Sequence, residues 1–404
     1  MQKNNFFVVL ILCIWFIISF VTNILGPILP MVINDFNLSL TLAGFLPFSF
    51  FLAYFVMSIP AGIIIERFGG KISLLIAFIF NFIGALLFVI FPTYIVVLSS
   101  LFIIGLGMAM LQVVILPLMR EAGGEKNYAF NTILAQLVFG LASFVSPFVL
   151  TGMMHHFSFQ WSSFYLIFTI VFALMLVIIS GIKFPKVELK EDEKAGSRQD
   201  YSELVKNKYV ILFFLGIVAY VGTEQGIADW MSKFLKTYHD VDPIGLGAST
   251  VAWFWGLMTI GCLLGLIIVK LVDSKIILRI FTVIAIINLF VSLFAPVHIA
   301  VIAFPCCGFS ISLIFSIVFS LALNSVEKYH GAFSGILCTG IFGGALIPFI
   351  IGWVGDFVGL RTSMCILFLT LSYILSISFW AKPLVKNKTV RLKELFANEG
   401  LSVS

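Results

Sequence analysis

Long apolar stretches parted by short polar gaps leave this chain one solvent in which to fold, the interior of a lipid bilayer. A spanning helix needs ~20 apolar residues, because only a helix or a closed barrel pairs all its backbone groups where no water reaches them. Roughly twelve stretches meet that length, near 6–32, 40–65, 72–92, 94–118, 128–151, 162–183, 209–235, 247–269, 276–297, 299–325, 331–355 and 359–381. The chain therefore reads as an all-α membrane protein. Its composition agrees: 61% of residues are hydrophobic and 11% charged, where a soluble domain carries roughly a quarter charged. The first stretch starts after Lys3 and runs far beyond the ~7–15 apolar residues of a signal peptide, with no small-x-small cleavage pattern behind it. It is expected to remain as helix 1.

Lys and Arg, which are retained on the cytoplasmic side, fall in alternate gaps. One set holds Lys3, Arg67, Lys71, Arg120, Lys126, the 183–208 segment, Lys270, Lys275, Arg279, Lys328 and the tail from Lys382; the other holds only Lys233, Lys236 and Arg361. Both termini are thus expected in the cytoplasm, the chain being a multi-pass protein of the cell membrane. The net charge of +5 is this topology signal. The basic residues form no continuous stripe, so no nucleic-acid partner is expected. The six cysteines all lie in apolar runs without CxxC spacing, which points to packing residues rather than disulfides or a metal site.

The longest polar interruption, Pro185 to Lys208, mixes both charge signs. It divides the chain into a six-helix half over 1–184, a cytoplasmic linker over 185–208, a second half over 209–382 and a cytoplasmic tail over 383–404. Tyr201 to Leu204 is expected to begin a short surface helix. The halves echo each other at an offset of about 201 residues: Pro147-Phe148 is answered by Pro348-Phe349, and the exit of helix 2, Gly62 to Lys71, by the exit of helix 8, Gly265 to Lys275. Internal repeats of this kind are a mark of secondary transporters.

Only Glu224 and Asp229 lie deep within an apolar run, Tyr209 to Leu235. An ionisable group at bilayer depth costs ~3 kcal/mol on insertion scales, so it usually faces a wet cavity on a substrate or ion path. Five residues apart, the two acids stand about 140° from each other around a helix. One stripe, with Tyr220 and Glu224, and another, with Gln225 and Asp229, therefore face different neighbours.

The layout and the segment Gly62-Ile-Ile-Ile-Glu66-Arg67-Phe-Gly69-Gly70-Lys71 resemble the signature loop of the major facilitator superfamily, with Glu66 in place of its Asp and Gly70 in place of its first basic residue. Four further stretches, Tyr220 to Ala228, Trp253-Phe-Trp-Gly256, Phe319 to Leu323 and Gly343 to Pro348, resemble the fucose–galactose–glucose:proton symporter family. The resemblance implies a twelve-helix bundle of two six-helix repeats and a secondary active transporter that works by alternating access. Its solute would be a hexose, its coupling cation H+ or Na+, and its oligomeric state monomeric. Proton-coupled members carry an Asp shortly before the helix 1 proline and a Glu in helix 4. Here those points hold Asn23 or Gly26, depending on whether Pro27 or Pro30 is aligned, and Gln112; Cys262 stands where the family tends to carry an Arg. Coupling is then expected of Glu224, alone for H+ or with Asp229 for Na+.

Sugars are held by amides and carboxylates on their hydroxyls and by aromatic rings on their apolar faces. The candidates for substrate binding are Asn23, Gln112, Gln136, Glu224, Gln225 and Asp229, with Trp230, Trp253 and Trp255 as stacking platforms. Hydrogen bonding between helices and packing are the competing roles for the same side chains. The site is expected between helices 1, 4, 5 and 7, with helices 8 and 10 as the other wall. Gly62, Glu66, Arg67 and Lys71 are read as a gate, in which a carboxylate and a guanidinium pair in one state and part in the other. Trp161 and Trp380, at helix ends, read as interfacial anchors. No GxxxxGK[ST], GxSxG or HExxH pattern occurs, so no ATP drive, cofactor, metal or enzymatic chemistry is expected. The other transport reading is a facilitator or exporter of a different small solute, and the remote one a membrane sensor or enzyme.

Overall fold

A helix of 51 residues, Leu40–Ile90, would be about 76 Å long at ~1.5 Å per residue, more than twice a bilayer core of ~30 Å. It turns back at Gly69, whose φ of 76° and ψ of 171° suit a residue without a Cβ. Two spans result, α2 (40–68) and α3 (70–90). The computed structural model describes residues 2–123, 128–157, 159–182, 184, 198–326 and 328–384. Among these residues eleven helices are long and apolar enough to cross a membrane, and the turn at Gly69 makes them twelve spans. Most of the expected linker and tail, 185–197 and 385–404, lie outside the described residues.

The other spans are α1 (Phe6–Phe36), α4 (Tyr94–Gly123), α5 (Tyr128–Phe157), α6 (Ser163–Gly181), α7 (Lys208–His239), α8 (Ala248–Leu271), α9 (Ser274–Phe294), α10 (Val297–Leu323), α11 (Ala332–Val358) and α12 (Leu360–Trp380). Short polar residues set their ends. Ser39, Asn207 and Asp273 accept from the backbone N–H of Leu42, Tyr209 and Lys275 at the starts of α2, α7 and α9, as N-caps do. Asn37 and Asp240 take the left-handed conformation after α1 and α7. With an even number of spans, both ends of the path lie on one side of the bundle, here called the terminal side; the opposite face is the loop side.

Within the first six helices, Ser100 Oγ of α4 donates to the Gly84 carbonyl of α3 at 2.6 Å, and Asn23 of α1 reaches Ser143 of α5. Within the second six, Thr223 of α7 meets Thr370 of α12 at 2.6 Å, and Asn288 of α9 donates to the Cys306 carbonyl of α10. These bonds satisfy polar groups that lipid could not. On the terminal side the repeat reappears as hardware. Lys71, at the start of α3, donates to the Ser180 and Ile182 carbonyls at the end of α6, and Lys275, at the start of α9, donates to the Ala381 carbonyl after α12. A cation on the last carbonyls of a helix complements both orphan acceptors and dipole.

The short surface helix runs over Arg198–Lys206. It stands beside the loop between α10 and α11, where the charge of Glu203 pushes the Tyr329 phenol above its ordinary pKa while the hydroxyl donates to that carboxylate. One expectation is corrected: Trp161 is 4% exposed and its Nε1 donates to Asp35 at 2.5 Å. It ties the end of α1 to the start of α6 instead of anchoring at the lipid surface.

Three seams join α1–α6 to α7–α12, and their named contacts lie toward the loop side. Between α2 and α11, Phe45 and Phe48 pack on Phe349 with ring centroids 4.7 and 5.4 Å apart, and Phe48 on Phe342 at 6.0 Å. Between α5 and α8, Phe144 meets Trp253 edge-on at 5.2 Å, and Thr151 Oγ1 donates to the Ile244 carbonyl at 2.6 Å. Between α1 and α7 the backbones nearly touch: a Cβ on Gly26 would stand 2.5 Å from the Ala228 carbonyl oxygen.

Candidate functional site

Glu224 sits midway along α7, where a helix packed on all sides would bury it, and is only partly covered. One turn earlier the Tyr220 hydroxyl lies close enough to interact with its carboxylate. Across from it on α8 stands Cys262, exposed and close enough to feel the carboxylate charge. Cys262 Sγ in turn lies 3.4 Å from the Ser312 carbonyl in the break of α10 between Ile311 and Ile314. The Tyr220 ring packs at 5.6 Å on Phe315 of the same helix. An acid, a phenol, a thiol and two aromatic faces thus gather where α7, α8 and α10 meet. Among the described residues no Lys or Arg forms an ion pair with Glu224.

The second stripe of α7 faces elsewhere, as the 140° offset requires. Gln225 is buried and abuts Gly344 of α11, which Phe51 of α2 also approaches. Asp229 is 3% exposed, with Oδ2 sealed from solvent and without a hydrogen-bond donor, beside Gly26 of α1. Trp230 is fully buried and its Nε1 donates to the Pro348 carbonyl at 3.0 Å, so it locks α7 to α11. Of the two acids, Glu224 is the one that keeps some exposure.

In the first six helices, Asn23 Nδ2 donates to Ser143 Oγ at 2.8 Å, and Ser19 and Ser143 share a hydrogen bond of 2.6 Å. The Asn23 Oδ1 remains buried without a donor. Gln112 on α4 is partly covered. Gln136 on α5 is exposed, and Trp253 is 49% exposed at the α5–α8 seam, whereas Trp255 is 4% exposed with its Nε1 unpaired. The structure therefore gathers Glu224 with Tyr220 and Cys262, and Asn23 with Ser143. It does not bring Gln136, Trp230 or Trp253 to either group.

At the terminal-side loop Glu66 and Arg67 are exposed and Gly62 is partly covered. Among the described residues neither charged side chain of that pair is bonded to the other, while Lys71 is committed to the end of α6. A contact that sequence reasoning missed lies at the other face. Asp356, in the last turn of α11, accepts from the backbone N–H of Leu40 and Thr41 at 2.8 Å each and from Thr41 Oγ1 at 2.5 Å. A carboxylate from one set of six helices thus caps a helix of the other, supplementing the Ser39 cap. Its only sequence signal is an acid just before Gly359, at the end of an apolar run. Nearby on the loop side, Lys236 hydrogen-bonds Asp240 at 2.7 Å and holds its carboxyl below the ordinary range. Among the described residues no three His, Cys, Asp or Glu side chains converge on a metal-sized space.

A family model described as the Major Facilitator Superfamily matches residues 11–348. A glucose/galactose transporter of Brucella abortus is 29% identical over 394 residues, spanning 92% of this chain and 93% of the relative. An L-fucose-proton symporter of Escherichia coli is 24% identical over 382 residues, spanning 86% and 87%. Among solved structures, the Escherichia coli fucose:proton symporter superposes with a TM-score of 0.65 at 20% identity, over 92% of this chain and 98% of that one. A bacterial homologue of the human lysosomal transporter Spinster, inward-facing and unoccupied, gives 0.68 at 16%, over 94% and 97%. These two likenesses are of fold alone.

Proposed function

The chain belongs to the major facilitator superfamily, and from that premise we propose that it takes up a hexose together with a proton, holding the sugar beside Glu224. The protein is a transporter, not an enzyme. Glu224 carries the proposal. A partly exposed carboxylate with a phenol beside it accepts from and donates to hydroxyls, and the partly exposed Phe315 ring offers an apolar face on which a pyranose stacks. With no Lys or Arg ion-paired to it among the described residues, the acid repels anionic solutes and favours a neutral polyol. Glucose and galactose are the first candidates, from the name of the Brucella abortus relative.

Coupling falls to an acid on α7, because Asn23 and Gln112 cannot release protons. A proton is the first candidate, from the name of the Escherichia coli relative, and Na+ the second. We place both termini in the cytoplasm of a cell-membrane protein, on the Lys and Arg asymmetry of the gaps. The loop side is then extracellular, and its three closed seams make this an inward-facing arrangement. Halves 1–184 and 209–382, joined by the 185–208 linker, rock around the site as a monomer. Gly62, Glu66, Arg67 and Lys71 belong to the cytoplasmic gate, which closes when the halves rock the other way.

Uptake of labelled glucose, galactose, mannose and fucose into proteoliposomes, under an imposed H+ gradient, an imposed Na+ gradient or neither, tests this. Gradient-driven accumulation of one sugar is expected. Equilibration of a sugar that ignores both gradients would make the protein a facilitator. Silence for every sugar by a folded protein would transfer the site to another neutral solute.

A further inference from the structure

Loop-side closure puts a carboxyl group where charge has no compensation. Asp229 lies in the α1–α7 seam, 3% exposed, with Oδ2 sealed and undonated. Gly26 brings α1 so close that a Cβ there would lie 3.3 Å from the Asp229 Cα. The seam joins the two sets of six helices, so its parting would uncover α7 at Ala228 and Asp229.

Among the described residues no hydrogen bond or ion pair offsets a negative charge at its Oδ2. From α1 it faces Gly26 and, a turn away, the amide of Asn23. The next residue on α7, Trp230, packs on Pro348 and Gly352 of α11. On its own helix Lys233 lies one turn toward the loop side and Glu224 five residues back, yet among the described residues no ion pair to Asp229 forms and no donor reaches its Oδ2. An isolated ionised carboxylate is not stable in such a place. It must be neutralised before the seam can seal.

We infer that Asp229 is a cation-binding site built into the loop-side gate, at which closure takes up one proton. While the seam is open, water delivers the proton and an O–H bond forms at the carboxylate. The neutral carboxyl is then buried, and parting of the seam returns the proton to water. A monovalent metal cation is the other occupant of the same chemistry. The assignment deepens the transport reading by separating the coupling acid from the sugar-binding Glu224, but its test needs no sugar.

Spin labels on cysteines replacing Ile95 and Phe357, which are 74% and 76% exposed on the loop side of the two halves, report closure in a background whose native cysteines are serine. For the wild-type seam, the closed-to-open ratio is expected to fall about tenfold per pH unit as the pH rises, the slope of a one-proton linkage. Asp229→Asn should stay closed at every pH, and Glu224→Gln should keep the pH response. The Asp356 cap carries the opposite sign, since acid would loosen it, so closure on acidification is diagnostic of Asp229. At alkaline pH, closure by sodium but not choline chloride, lost in Asp229→Asn, would identify Na+ as an occupant of the same site. A pH response that persists in Asp229→Asn, or that vanishes in Glu224→Gln instead, overturns the assignment, as does a wild-type seam indifferent to both acid and sodium. Should Asp229→Asn not fold, Asp229→Glu with the wild-type titration decides, because it must keep the slope and shift its midpoint. A result here stands even if every sugar fails in the transport assay.

Discussion

At the scale of the residue, five positions on a helix turn the two acids of α7 to different neighbours, and the two proposals give them different tasks. Both were legible in the sequence, since an acid inside an apolar run has few bland explanations. What periodicity did not reveal was which stripe faces the opening, because no neighbour is visible in a single chain. The amides show the same limit: Asn23 proves to be held by Ser143 and Gln136 proves exposed, although both read alike as polar residues in apolar runs. Trp230 looked like a stacking platform and is a buried tie to Pro348. Replacing Glu224 by Gln keeps the shape and removes the charged acceptor. A charged hydrogen bond contributes ~1.5–3 kcal/mol, so sugar affinity is expected to fall ~10- to 100-fold, read by equilibrium binding of labelled sugar to purified protein. Unchanged binding would place the sugar elsewhere.

At the scale of the element, the apolar runs located the spans, but the devices that bring spans together depend on partners far away in sequence. The phenylalanines of the α2–α11 seam are indistinguishable, in composition, from the many others. Phe45, Phe48, Phe342 and Phe349 matter because α2 and α11 face each other. Asp356 matters for the same reason. Its cap on α2 exists only while the loop side is closed, so Asp356→Ala should remove about 1 kcal/mol of closure and lower the closed-to-open ratio roughly fivefold. Pulsed electron spin distances between the halves measure that ratio. Gly26→Ala should act more strongly, because a methyl group there meets backbone, not a side chain that can turn away. The expected result is a protein held open on the loop side that binds sugar from that side yet does not exchange it across the membrane. Normal exchange would mean that α1 and α7 separate without cost.

At the scale of the molecule, the twelve spans and the two-half plan follow from hydropathy and from the echo of Pro147 in Pro348, because lipid forbids nearly every alternative. The state in which the halves are caught does not follow from composition, since both states bury the same helices. It is set by which seams are closed, and here those are α1–α7 on the loop side, with α2–α11 and α5–α8 closed from the loop side to mid-span, where Phe55 packs on Phe342 at 5.4 Å and Gly140 abuts Thr259. On the inward-facing reading proposed above, the space beside Glu224 opens toward the terminal side. Cys262 reports on it, being exposed and next to the acid. In a variant whose other five cysteines are serine, a membrane-impermeant maleimide should modify Cys262 from the terminal side much faster than from the loop side. Saturating sugar should protect it, and modification should stop exchange, because the adduct fills the space that the substrate needs. Asp356→Ala should raise the loop-side rate in step with its gain of the open state, tying the chemistry at one thiol to the balance of the whole bundle. Equal rates from both faces would show that Cys262 looks into lipid or into a space open to both sides, and alternating access around Glu224 would fail with it.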